Sequence, residues 1–157
     1  MPFSSLKQAQ GADLYEVAVT TPKATVGERM WDELGNEYIY LQGVASTVAG
    51  VSVTFDELGV TALTVADARG PVAFAMAASD AVTKFGWYQI YGSATALSAG
   101  AVVDNANVYV TATAGRIDDA IVAGDRLKRA IARSAPASAT TMIVQIFYPF
   151  LDDGAAA

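Results

Sequence analysis

Carboxylates are the only side chains in this sequence whose spacing invites a catalytic reading. The chain carries 16 Asp and Glu, 10 Lys and Arg, and neither His nor Cys. Imidazole bases, imidazole or thiolate metal ligands, thiol nucleophiles and disulfides are therefore excluded. Four adjacent acid pairs remain: Asp32-Glu33, Asp56-Glu57, Asp118-Asp119 and Asp152-Asp153. Neighbours on a strand point to opposite faces, so none of these pairs is a ready-made acid–base dyad. Each sits at an expected turn, where solvated Asp and Glu are common. Ser4-Ser5-Leu6-Lys7 has the serine–lysine spacing of some acyl-transfer enzymes, but lacks their Ser-Asp-Asn and Lys-Thr-Gly companions. Asp104-Asn105-Ala106-Asn107 offers oxygen ligands without the spacing or closing Glu of a Ca²⁺ loop, and a tight turn explains it better. No phosphate-binding loop or dinucleotide fingerprint occurs. The expectation is no enzymatic activity, no bound metal and no cofactor.

Residues suited to binding are easier to find. Arg116, Arg126, Lys128, Arg129 and Arg133 are five of the ten basic residues. They form either a solvated face or a contact for an acidic protein surface. Nucleic acid is not expected as a partner, because the net charge is −6, the sequence pI is about 4.4, and Asp118, Asp119 and Asp125 share the window. Trp87, Tyr88 and Tyr91 could form a stacking platform for sugars or bases. Their alternation with Gln89 and Ile90 points instead to one ring packed inward and others at an oligomer interface. The candidate interface residues are thus Trp87, Tyr88, Tyr91, Arg126, Lys128, Arg129 and Arg133.

The elements that must position these groups read as strands. At 157 residues and 53% hydrophobic content, the chain is long and apolar enough for one domain with a real core. Met1–Thr25 has no clear period and reads as an extended N-terminal arm with one short strand near Tyr15–Thr20. Residues 26–151 form the β-rich domain, and 152–157 form a tail. Arg29–Trp31 and Glu37–Gln42 flank a Gly-Asn turn and predict a hairpin, with Ile39 and Leu41 on one face and Tyr38 and Tyr40 on the other. Further strands are expected at Val51–Phe55, Gly59–Asp67, Pro71–Ala77, Phe85–Gly92, Asn107–Thr111 and Thr141–Phe147, with Pro149 ending the last. Ser79–Lys84 has room for one helical turn. Asp118–Ser134 permits an amphipathic helix or, after the turn at Gly124-Asp125, a strand; the strand is preferred. The fold class is all-β: a single antiparallel sandwich, jelly roll or small barrel. No apolar run reaches the ~18 residues of a membrane span, and no secretory leader is visible in the first 25 residues. Absence of Cys fits synthesis in a reducing cytoplasm.

The order of several landmarks resembles a group of small head proteins of tailed bacteriophages. They run from Arg29-Met30-Trp31-Asp32-Glu33-Leu34-Gly35-Asn36-Glu37-Tyr38-Ile39-Tyr40 to Phe85-Gly86-Trp87-Tyr88-Gln89-Ile90-Tyr91-Gly92. Then come Ala114-Gly115-Arg116-Ile117-Asp118-Asp119, Ala123-Gly124-Asp125-Arg126 and the ending Tyr148-Pro149-Phe150-Leu151-Asp152-Asp153. The resemblance implies a capsid decoration, or cement, protein: a β-rich module, often trimeric. It would be made in the bacterial host and bound to the outside of the major capsid protein shell, where it stabilises the DNA-filled head. The alternative is a virion-surface carbohydrate-binding or host-attachment module using Trp87, Tyr88 and Tyr91.

Overall fold

The computed structural model describes residues 13–152, which form eleven strands and no helix. All named strand pairs are antiparallel. The all-β expectation holds, and the stretch 118–134 resolves as extended: its main element is a strand at Arg126–Ala132. Inside that strand Leu127, Ala130 and Ala132 are buried while Arg126 and Arg129 are exposed. The 3.6-residue spacing of its basic residues is therefore coincidental, because one extra residue interrupts a period of two.

Two long strands organise the molecule. In chain order the strands are β1 (Ala18–Val19), β2 (Arg29–Trp31), β3 (Glu37–Gln42), β4 (Ser52–Phe55), β5 (Thr61–Leu63), β6 (Arg69–Ala75), β7 (Lys84–Leu97), β8 (Asn107–Val110), β9 (Ile117–Asp118), β10 (Arg126–Ala132) and β11 (Thr141–Asp152). The first half of β7 lies between β3 and β6; its second half pairs with β11. β11 in turn leaves β7 after Phe147 and continues on β6, where Phe150 faces Pro71 and Asp152 faces Arg69. Each long strand thus runs through both parts of a single eleven-stranded sheet, which folds over here as at the corner of an orthogonal packing.

The corner has identifiable causes. Gly92 adopts φ +100°, and a Cβ there would overlap the Asn36 side chain, whose oxygen accepts the Ser93 amide at 3.0 Å. Arg129 and Tyr148 sit at φ +61° and +53°, uncommon for non-glycine residues, and the β10–β11 register slips between Lys128 and Ala130. These are paired bulges that bend both strands together. Pro149 does not end β11, as its missing amide suggested. It lies where β11 changes partner, and a proline is tolerated at such a break in the ladder. Gly92 likewise does not bound β7, which runs on to Leu97. Residues 79–84 hold a simple turn, closed by the Lys84 amide on the Ala81 carbonyl at 3.0 Å, rather than a helical turn.

The corner divides the core in two. Beyond it, β7, β11, β10, β8 and β9 follow one another and close through a bridge between Ser98 and Ile117, with the Ala99 amide on the Ile117 carbonyl at 2.9 Å. Arg116 fastens that seam by donating to the Ser98 carbonyl at 2.8 Å. Ile117, Leu127, Met142, Val144 and Ile146 fill the ring. Before the corner, the sheet carrying β3 and β7 is covered on both faces. Ile39, Leu41 and Tyr88 pack against β4 and β6, while Tyr38, Tyr40 and Trp87 pack against Met30 and, from the segment expected to be an arm, Leu14 and Ala24. The alternation read at residues 38–41 therefore serves two cores at once.

Candidate functional site

Two acid pairs, Asp32-Glu33 and Asp56-Glu57, lie at turns as expected, whereas Asp118 closes β9 and Asp152 closes β11, both paired in the sheet. Asp32 accepts the amides of Leu34 and Asn36, both at 2.9 Å, and hydrogen bonds from the Asn36 side chain and the Tyr38 hydroxyl. Partial burial alone would raise its pKa, but these hydrogen bonds outweigh it and hold the carboxyl below the usual value. Burial and the same carboxylate push Tyr38 far up. Asp56 accepts the Leu58 and Val60 amides at 3.0 and 2.9 Å. Asp118 caps the Ala120 amide, Asp119 the Val103 amide, and Asp152 pairs with Lys128. Asp104 receives the Asn105 amide in a turn with Asn105 at φ +63°. Among the described residues no three Asp or Glu converge as a metal-binding group. Ser4, Lys7 and Asp153 lie outside the described residues.

The aromatic candidates separate. Trp87 and Tyr88 are 1% and 0% exposed, so neither belongs to a surface platform of this chain. The cause is the double covering of the β3–β7 sheet: Trp87 meets Tyr40 edge-on at 5.0 Å on one face, and Tyr88 enters the other core. Burial pushes the Tyr88 hydroxyl pKa up. Tyr91 alone reaches the surface, one residue before the corner.

There it joins an aromatic row that the strand pairing assembles. Trp31 of β2 faces Glu37 of β3, Glu37 faces Tyr91 of β7, and Tyr91 faces Phe147 of β11. Directly paired residues share a face, so the four line up across four strands. The Tyr91 ring lies 5.6 Å from Phe147, edge-on, and 5.3 Å from Tyr148. Trp31, Phe147 and Tyr148 remain 45%, 38% and 44% exposed. Glu37 is buried beneath them: the Tyr148 hydroxyl donates to one carboxylate oxygen and Arg29 to the other at 3.2 Å. The hydrogen bond to Glu37 raises the Tyr148 pKa.

Cations edge this row. Arg29 lies 6.0 Å from the Tyr148 ring centre, and Lys128 and Arg129 lie 5.7 and 5.6 Å from that of Phe150. A cleft of about 100 Å³ opens between them, lined by Arg29, Phe55, Ile90, Tyr148 and Phe150 among others. Arg126 and Arg133 extend the basic edge along β10. Arg126 donates to Asn107 at 2.8 Å, and Arg133 to Gln145 at 2.9 Å and to Asn105. Arg116 stays apart at the ring seam. The structure therefore brings together Tyr91, Lys128 and Arg129, and adds Arg29, Trp31, Phe147, Tyr148 and Phe150, which sequence reasoning did not assign to a site.

One further surface feature repeats. Trp31-Asp32-Glu33-Leu34-Gly35 and Phe55-Asp56-Glu57-Leu58-Gly59 share an aromatic followed by the same four residues. They fold alike. The Gly amide returns to the Asp carbonyl (3.2 and 3.0 Å), the Asp amide reaches the carbonyl four residues on (3.0 and 3.1 Å), and Gly takes φ +82° and +76°. Each turn holds its Leu out, 88% exposed at Leu34 and 73% at Leu58, beside an exposed Glu. The recurring tetrapeptide was the available signal in the sequence.

Among the described residues no helix is long and apolar enough to cross a membrane. Comparison of the chain with protein families, curated proteins and solved structures returns no match.

Proposed function

We propose that this chain is a structural virion protein, a decoration module that binds the outer surface of a tailed-phage capsid and stabilises the filled head. The observation that carries the reading is the aromatic and basic row at the corner, displayed on a chain of net charge −6. Exposed aromatics beside arginines are the chemistry of protein–protein contact, where such residues supply most of the binding energy. The frame beneath them is stiff, because the two long strands are shared between both cores. A protein that binds only the assembled lattice stabilises it by mass action, and needs complementary surface rather than an active site. The resemblance in the landmark order supplies the lattice as the partner.

The test is to mix the purified chain with expanded heads lacking it, and to follow sedimentation. Stoichiometric pelleting with the heads, and a raised temperature of head disruption, are expected; heads that stay bare would end the reading. Carbohydrate attachment was to use Trp87, Tyr88 and Tyr91 as a platform, and two of those three rings lie in the core. Selective binding on a glycan array, with heads left bare, is the result that would restore it.

A further inference from the structure

We infer that a cleft between the Asp32 turn and the outward face of β7 binds a neutral sugar ring of a glycan. The cleft holds about 450 Å³, within the range of small-molecule sites. It shares no lining residue with the cleft at the aromatic–basic corner, so the inference stands independently of the capsid reading.

Charge and backbone narrow the ligand first. Among the described residues no Lys or Arg lines the cleft, so an anion finds no partner there. Its carboxylate is Asp32, whose two oxygens each accept two hydrogen bonds, so no lone pair is left for a cation. A peptide strand is no better served, because the edge of β7 turned away from β11 is already closed. The Asn36 side chain takes the Ser93 amide, the Gln89 amide group holds the Tyr91 and Ser93 carbonyls, and the Gly50 carbonyl takes the Leu97 amide at 2.8 Å. By the two-residue alternation of the ladder, Thr95 is the one open rung between them.

What stays open suits hydroxyl groups. Gln89 lines the cleft although it is buried, and its Nε2 donates to the two carbonyls at 3.0 and 3.1 Å. Its Oε1 has no bonded partner among the described residues. A buried amide oxygen is costly to leave unpaired, so it is a ready acceptor for a ligand O–H. The hydroxyls of Ser93, Thr95 and Thr141 also line the cleft without bonded partners among the described residues, and each can donate or accept. Tyr15 adds a largely exposed ring, and Leu34 and Met76 add apolar surface, a wall suited to the C–H face of a pyranose. Uncharged groups that both donate and accept, set beside such a wall, fit a sugar better than an ion or an extended peptide.

The full-length chain is applied to an array of neutral oligosaccharides and their sulfated and sialylated counterparts, and each glycan bound is titrated by calorimetry at low and high salt. Binding of at least one neutral glycan, with an affinity indifferent to salt, is expected. Tyr15→Ala should weaken it roughly tenfold, and Thr95→Val roughly fivefold. Phe147→Ala, at the aromatic–basic corner, should leave it unchanged. Circular dichroism and melting confirm that these surface variants are folded. An array without a bound neutral glycan, binding of charged glycans alone, or an affinity that ignores Tyr15→Ala and Thr95→Val but falls with Phe147→Ala overturns the inference. Heads that stay bare while the glycan binds at this cleft would end the capsid reading and leave the cleft standing; coated heads with no glycan bound would do the reverse.

Discussion

The sheet before the corner and the ring beyond it are built from the same two long strands, yet they hide their side chains differently. Before the corner, β3 and β7 are covered on both faces, and consecutive residues Trp87 and Tyr88 are buried in opposite directions. Beyond it, β7 and β11 keep one face inside the ring and turn the other outward. Ala94, Ala96, Val144 and Ile146 go in; Ile143 and Phe147 are each 38% exposed. The consecutive bulky residues Trp87–Ile90 on β7, before the corner, are therefore all core, whereas along β11 beyond it they alternate between core and surface.

The largest effect should come from breaking the doubly covered sheet. Trp87→Ala removes a fully buried ring between Tyr40 and Met30 and is expected to cost about 3–5 kcal/mol. Phe147→Ala, on the outward face, should cost no more than about 1 kcal/mol. Urea unfolding of both variants checks this, and equal losses would erase the distinction between the regions.

An intermediate effect belongs to the corner itself. Tyr148→Phe deletes the hydroxyl that donates to buried Glu37 and leaves that carboxylate with Arg29 as its bonded partner, a loss of about 1–3 kcal/mol. In the wild type the raised Tyr148 pKa means that this contribution is complete below the unfolded tyrosine value near 10 and fades as pH rises through the folded value. The difference between wild type and Tyr148→Phe should accordingly narrow in alkaline unfolding titrations.

The smallest effect is at a surface turn. Asp32 has a lowered pKa, so its contribution is present above the unfolded value near 3.8 and is lost as pH falls through the folded one. Asp32→Ala should be less stable than wild type at neutral pH by under about 1 kcal/mol, because solvent screens the site. The two proteins should converge as acid unfolding proceeds.

Local alternation was legible, and long-range register was not. Ile39/Leu41 against Tyr38/Tyr40 is a period of two that any reader of the chain can count, and it holds. Gly92 and Pro149 were misleading for one reason: each residue type commonly ends a strand, yet here each sits where a strand bends and continues. The bulges at Arg129 and Tyr148 left no trace, since neither residue favours positive φ. The aromatic row was invisible because Trp31, Tyr91 and Phe147 become neighbours only through pairings between β2, β3, β7 and β11. The basic cluster was half legible: Lys128 and Arg129 reach the site, whereas proximity in sequence wrongly grouped Arg116 with them.

The sharing of β7 and β11 between both halves has a mechanical consequence. Where two bodies are joined by a hinge, tension between them peels one rung at a time. Here both strands pass unbroken from one half to the other, so a pull that separates the halves loads two covalent backbones, and neither half can leave until whole ladders along β7 and β11 have given way. Parting the halves and unravelling the sheet are therefore one event.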